Sequence, residues 1–235
     1  VISIQENIDM VCIAIPHQFV EDVVDQCIEK KVKSILIISA GFKETGEQGK
    51  ELEERISKKL KNANIRLIGP NSLGYINNKS KINLSFAREN PGDGNIAFIS
   101  QSGAFCTAIL DMACGKKLGF SHVISIGNKA DINENELMEL FVSDSNIKAI
   151  AVYLEEFSDG KEFITLSQKS KKPILIIAPG SSEKAQQAIS SHTGSLASSF
   201  DTTIAAVKKG NMIYTENSEE LFKLMQLIDI EAIPK

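Results

Sequence analysis

Short apolar runs alternate along the chain with segments whose apolar residues recur every three or four positions. The runs are MVCIAI (10–15), SILIIS (34–39), RLIG (66–69), IAFIS (96–100), HVISIG (122–127), AIAVYL (149–154), PILIIA (173–178) and MIY (212–214). Most are apolar on both faces, as parallel strands are when helices cover each side. Between them lie helical stripes: Val20, Val23, Val24, Cys27 and Ile28; Leu52, Ile56 and Leu60; Phe200, Thr203, Ile204 and Val207; Leu221, Leu224, Met225 and Ile228. This alternation predicts an α/β protein on doubly wound parallel sheets. One stretch breaks it. FARENPGDG (86–94) holds a proline, two glycines and charges with no period, and is read as a domain boundary between residues 1–90 and 91–235. The first unit, with three strands, is expected to be the later part of a domain, because the chain opens at Val1 rather than at a methionine. The second is expected to be whole.

Composition narrows the class without changing it. The 235 residues, 43% hydrophobic and 24% charged, suit a globular protein with one large or two modest cores. A net charge of −4 argues against nucleic acid and anionic membrane surfaces as partners. No run is long enough to span a bilayer, and no signal peptide is seen. Cys12, Cys27, Cys106 and Cys114 form no close metal-ligand pair, so buried reduced thiols and a cytoplasmic setting are expected, with no metal site.

Ligands of open α/β sheets bind beyond the carboxyl ends of the strands. In the second unit those ends carry Gln101-Ser102-Gly103, Asn128 to Asp131, Glu155 and Glu156, and Pro179-Gly180-Ser181-Ser182 leading to His192. Ser102, Gly103 and Ala104 open a helix, whose start offers unpaired N–H groups to an anion such as phosphate. An ordinary serine N-cap explains the same residues and is favoured on local pattern alone. His192, in SSHTGSLASS ahead of a helix, can carry a phosphoryl group on a ring nitrogen, although a histidine there is more often just exposed. Glu155, if it faces His192, would hold one imidazole nitrogen as N–H and leave the other nucleophilic. His17 reads as a turn residue, His122 as structural, and Lys169, Lys171 and Lys172 as a solvated helix end. In the first unit, GFKETGEQG (41–49) and GPNSLGYIN (69–77) either line a cleft or merely connect.

The ordered motifs SAGFKETGEQG, IRLIGPNSLGYIN, ISQSGAF, SHVISIGNKADINE, VYLEEFSDGKEF and SHTGSLAS cover nearly the whole chain. Together they resemble the nucleoside-diphosphate-forming acyl-CoA synthetases, and most of all the ADP-forming acetyl-CoA synthetase α-subunit, a relative of the succinyl-CoA synthetase α-subunit. The resemblance implies a partial Rossmann-like CoA-binding domain followed by a flavodoxin-like doubly wound domain carrying the phosphohistidine. It implies an acid–CoA ligase reaction through an acyl phosphate and a phosphohistidine at His192, with Glu155 orienting the imidazole. Ser102, Gly103, Ala104, Gly180, Thr193 and Gly194 would bind phosphate, and Gly41, Phe42, Pro70, Asn71 and Asn128 would line the CoA and acyl site. CoA, a small carboxylic acid, phosphate and ADP or ATP with Mg²⁺ are then substrates, and no permanent cofactor is implied. The nucleotide belongs to an ATP-grasp partner, a separate subunit or a fused domain, and an oligomer is expected. The alternative is a non-catalytic CoA-sensing module of an acetyltransferase-type or other regulatory protein, which the intact SHTG context disfavours.

The sequence also departs from the family. No glycine-rich βα turn precedes Val1, so the residues given are expected to bind CoA poorly or not at all. Ser72 stands where cysteine is frequent. Ala178, Pro179 and Ser181 replace a lysine and an arginine near the phosphate path, and Ser198 replaces a glycine.

Overall fold

The computed structural model describes residues 1–116, 118–179 and 200–230. Its first three strands, β1 (Met10–Ile13), β2 (Ser34–Ile37) and β3 (Arg66–Ile68), form a parallel sheet in the order β1-β2-β3. Helices α1 (Val20–Glu29) and α2 (Glu47–Asn62) connect them. Val20, Val24 and Cys27 of α1 and Ile56 and Leu60 of α2 pack with Ile35, Ile37 and Leu67 in one core. The helical stripes read from the sequence are the faces that this core buries.

Among the described residues the second sheet has seven strands, with β4 (Gly74–Asn77) and β5 (Ile82–Ser85) at one side of it, in the order β10-β9-β8-β6-β7-β4-β5. Its parallel part comprises β6 (Gly92–Ser100), β7 (Gly119–Ser125), β8 (Ala149–Tyr153), β9 (Ile174–Ile177) and β10 (Ile213–Tyr214). Numbered from β6, this is the 2-1-3-4-5 order of flavodoxin-like sheets, which places the topological switch between β6 and β8. Helices α3 (Gly103–Ala113), α4 (Glu134–Ser143), α5 (Gly160–Lys169), α6 (Phe200–Lys209) and α7 (Ser218–Ile230) complete the described fold. Two cores lie on opposite faces of the sheet. One joins Phe98, Phe120 and Ala151 to α3 and α7. The other joins Ala97, Ile99, Ile150 and Val152 to α4, α5 and α6. Consecutive residues of β6 thus serve opposite cores, which explains why that strand is apolar at every position from Ile96 to Ile99.

The strand list read from the sequence lacks β4 (Gly74–Asn77) and β5 (Ile82–Ser85). They form an antiparallel hairpin that pairs with β7, so the sheet is mixed rather than wholly parallel. Half of their positions are polar, and β5 lies at the sheet edge. Neither strand therefore carries the continuous apolar run by which the parallel strands were found. β6 also begins at Gly92, inside the aperiodic stretch 86–94.

Three other expectations are corrected. Cys12 and Cys114 are exposed, and only Cys27 and Cys106 are buried. Cys12 alternates outward on β1, and Cys114 follows the last turn of α3. Burial pushes the Cys106 thiol up to about 12. Lys172 is not part of a solvated helix end. Its ammonium donates to the carbonyl of Phe141 at 2.7 Å and to that of Asp144, closing the C-terminal end of α4.

His122 lies within β7 rather than at its start, packed on Phe141 at 5.1 Å between ring centroids, and its Nδ1 is buried with no hydrogen-bond partner among the described residues. Burial lowers its pKa from 6.5, with Asp144 opposing the shift and Lys79 adding to it. The unfolded chain therefore binds a proton that the folded chain resists, and stability falls as pH drops below 6.5 through the folded value. Urea titrations at pH 7.5 and pH 5.5 are expected to show this loss, and His122→Gln is expected to remove the histidine's share of it.

Candidate active site

The carboxyl ends of both sheets meet. Asn128 N donates to the Pro70 carbonyl at 2.9 Å, Ala130 N to that of Gly69 at 3.1 Å, and Ile132 N to that of Leu67 at 3.0 Å. The segment after β7 is thus laid along the end of β3. Gly127 makes this approach feasible: its φ is +55°, and a Cβ there would lie 2.1 Å from the Pro70 carbonyl oxygen. Arg66 reinforces the junction with a fork onto Asp131 (2.9 and 3.2 Å) and a bond to Glu136 (2.6 Å).

Inside the junction sits a polar network that the sequence did not disclose. The Asn128 Nδ2 group donates to Glu44 and to Glu53, each at 2.7 Å, and its Oδ1 accepts from Asn71 at 3.3 Å. The Lys43 ammonium donates to the Asn128 carbonyl at 2.6 Å, and Gly41 N and Phe42 N donate to Glu44. The environments push the two carboxylates apart. Burial raises Glu53 above the usual range despite help from Asn128 and Lys43. Burial also acts on Glu44, but the bonds from Asn128, Gly41 and Phe42 outweigh it and leave that group lowered. Gly41, Phe42, Pro70, Asn71 and Asn128 are therefore brought together. Phe42 lends only its backbone, because its ring is fully buried in the first core. His17 is exposed beside this loop, and its imidazole occupies the space beside Gly41 that a Cβ would need.

At the switch point, Ser102 caps α3, its Oγ accepting from Phe105 N at 3.2 Å. The serine is an N-cap, and the helix start that it closes is also half-exposed at Ser102 and Gly103 and open at Ala104. The first N–H groups of a helix lack intrahelical partners, so this end retains its attraction for an anion. Ser100 is buried beneath it and donates to the Ser102 carbonyl at 2.7 Å.

Glu155 stands across the switch at the end of β8, half-buried. The Gln101 Oε1 atom accepts from Glu155 N at 3.0 Å and from Glu156 N at 3.3 Å. The Tyr153 ring stacks on Phe105 of α3 with centroids 4.3 Å apart. Burial, then the Glu155 charge, raise the Tyr153 pKa, so the phenol stays a donor. Gln101 from the α3 side and Tyr153 from the β8 side thus link the helix start to the turn that carries Glu155. Beyond Glu155, Lys129 donates to the Glu156 carbonyl at 2.8 Å and pairs with Glu134 at 3.2 Å.

Ser102, Gly103, Ala104 and Glu155 are thereby placed at one end of the sheet. His192, Gly180, Thr193, Gly194, Ser181 and Ser198 lie outside the described residues. Sequence reasoning missed the roles of Gln101, Tyr153, Lys43, Glu44, Glu53 and Glu134. The one available signal was position, since Gln101 and Tyr153 end or follow strands beside the switch.

Residues 93–228 match the succinyl-CoA ligase like flavodoxin domain, and residues 1–78 match a CoA binding domain. The chain belongs to the NDP-forming acyl-CoA synthetase family. Among synthetases of this kind, it is 38% identical over 224 residues to the acetate–CoA ligase (ADP-forming) I subunit alpha of Pyrococcus furiosus, covering 94% of this chain and 48% of that protein. It is 35% identical over 240 residues to the 4-hydroxybutyrate–CoA ligase (ADP-forming) of Nitrosopumilus maritimus, covering 100% of this chain and 34% of that one. The solved dinucleotide forming acetyl-coenzyme A synthetase 1 of Candidatus Korarchaeum cryptofilum, in complex with phosphate and ADP, superposes with a TM-score of 0.94 at 33% identity. That match covers 100% of this chain and 51% of the solved one. The chain thus spans between about a third and a half of the length of these synthetases. Among the described residues, no helix is long and apolar enough to cross a membrane.

Proposed function

We propose that this chain is the CoA-binding and phosphoryl-carrying part of a cytoplasmic acid–CoA ligase that interconverts acyl-CoA, ADP and phosphate with a carboxylic acid, ATP and CoA. A phosphate oxygen attacks the thioester carbonyl, the C–S bond breaks, and CoA leaves as a thiol after taking a proton. The acyl phosphate then meets a His192 ring nitrogen. The N–P bond forms, the bond from phosphorus to the acyl oxygen breaks, and the carboxylate departs. ADP, held with Mg²⁺ by an ATP-grasp partner chain or fused region, takes the phosphoryl group and restores the imidazole. The assembled enzyme is an oligomer in this reading.

The observation that carries the proposal is the link across the switch point. The Gln101 bonds and the stacking of Tyr153 on Phe105 tie an anion-attracting helix start to the turn that carries the Glu155 carboxylate. A phosphohistidine needs both features: donors for its phosphoryl oxygens, and an acceptor behind its other ring nitrogen. Gly180, Thr193 and Gly194 would add donors beside His192. The network around Asn128 would form the floor of the CoA and acyl end, with Gly41, Pro70 and Asn71 along its rim. Relatives are named for acetate and for 4-hydroxybutyrate, so the acid is the open term, and acetate is the first to assay.

The test uses the complete ligase with its ATP-grasp part. Incubation with γ-labelled ATP and Mg²⁺ is expected to give acid-labile label on the wild type and none on His192→Ala. Absence of label from a wild type whose partner binds ATP would refute the mechanism and leave a CoA-sensing role as the account.

A further inference from the structure

We propose that Lys129 and Glu134 are positioning residues for Glu155, forming a buried brace that sets where its carboxylate stands. The inference rests on the reading above, in which Glu155 orients His192.

The brace is an ion pair with almost no access to water. The Lys129 side chain is 4% exposed and that of Glu134 is 0% exposed. Such a pair is a poor device for stability. Removing each ion from water is costly, and apolar residues of similar volume often serve as well or better. Its geometry points to another use. Lys129 Nζ reaches Glu134 Oε2 at 3.2 Å and the Glu156 carbonyl at 2.8 Å. The two oxygens of Glu134 accept from Ser158 N and from Ser158 Oγ, the latter at 3.0 Å. One ion pair therefore grips the turn after β8 at residues 156 and 158. Gln101 grips the same turn at the N–H groups of 155 and 156. Gln101 thus holds Glu155 at its own N–H, and the brace holds the residues that follow it, which leaves the Glu155 backbone little room to rotate.

The brace also joins the segment after β7 and the start of α4 to the turn after β8. Lys129 belongs to the segment after β7, and Glu134 opens α4, where the Asn133 side chain caps the helix through Asn135 N and Glu136 N. Lys129 holds a φ of +56°, a left-handed conformation that is unfavourable for a residue with a Cβ. A buried charge on a strained backbone, aimed at the turn that carries the carboxylate, is a combination expected where position matters more than stability.

The experiment is a double-mutant cycle in the complete ligase. The brace is replaced as a pair, Lys129→Met with Glu134→Leu, in the wild type and in a Glu155→Gln background. The expected result is a melting temperature near that of the wild type, unchanged KM for acyl-CoA and phosphate, and kcat lowered on the order of 10²-fold, as when a catalytic group is misplaced by about 1 Å. In the Glu155→Gln background the brace change is expected to cost nothing further, because its target is already gone. Equal slowing of both backgrounds would overturn the proposal, since a merely structural role behaves that way. So would wild-type labelling of His192 by the brace variant. If the paired replacement does not fold, Ser158→Ala removes one bond at an exposed residue. A several-fold fall in kcat that vanishes with Glu155→Gln would support the brace, and no fall would overturn it. Absent label on the unmutated enzyme would overturn the phosphohistidine reading and the brace together. A brace change without effect on an enzyme that does label would overturn the brace alone.

Discussion

Glu155→Gln in the complete ligase is expected to slow phosphorylation of His192 by about 10²- to 10⁴-fold, the range lost when the partner that fixes a histidine's tautomer or proton is removed. The substitution keeps the volume and one acceptor oxygen while removing the charge. The Tyr153 ring stacks on Phe105 without needing that charge, so the local packing should survive. What changes is the imidazole. A carboxylate selects the tautomer that turns N–H toward it and stabilises the cation that forms during transfer. An amide can present either its oxygen or its NH₂ group, and so selects weakly. The loss should therefore fall on kcat, with KM for acyl-CoA near its original value. Rapid-quench measurement of acid-labile label checks it, and a rate within threefold of the wild type would remove Glu155 from the mechanism.

The site could be located from the sequence because its coarse position follows from topology. Once the parallel strands are recognised as uniformly apolar runs, the residues after each run must lie at one edge of the sheet, and Ser102, Asn128 and Glu155 are found there. The residues that hold that edge together were not legible. Asn128 is saturated by Glu44 and Glu53, which lie 84 and 75 positions away, and no local pattern marks a carboxylate on α2 as buried. Glu134 reads as an acidic residue in the first turn of a helix, where solvation is the rule, yet it is fully buried, paired with Lys129 and bonded to Ser158 in the turn before α5. The hairpin of β4 and β5 failed for a different reason. Its stability comes from addition to β7, so its own residues need not alternate strongly. In each case the determining partner is distant in sequence, and periodicity carries no information about it.

Asn128→Ala tests how much the two sheets depend on that distant network. Its side chain supplies one N–H to each of two carboxylates, the buried Glu53 and the half-buried Glu44, and nothing in alanine replaces either. A loss of about 1.5–3 kcal/mol at neutral pH is expected, the scale of hydrogen bonds to charged groups, because Glu44 keeps the bonds from Gly41 and Phe42 and Glu53 keeps that from Lys43 N. The pH dependence distinguishes this cause from simple loss of packing. Glu53 is already raised, chiefly by burial, so the folded state prefers it protonated, and its charged form costs stability as pH rises above 4.5 through the folded value. Removing the Asn128 donor raises it further. The stability difference between variant and wild type is then largest above the folded pKa of Glu53 and shrinks as pH falls through it. Glu44, lowered because hydrogen bonds from Asn128, Gly41 and Phe42 outweigh its burial, gives stability that is present above 4.5 and lost as pH falls through its own folded value. Part of that share disappears with Asn128, which adds to the same trend. Urea titrations of both proteins at pH 7.5 and pH 4.5 measure the difference directly. A difference independent of pH would mean that the two carboxylates do not feel the amide, and that the junction is held by Arg66, Asp131 and the backbone bonds to residues 67–70 alone.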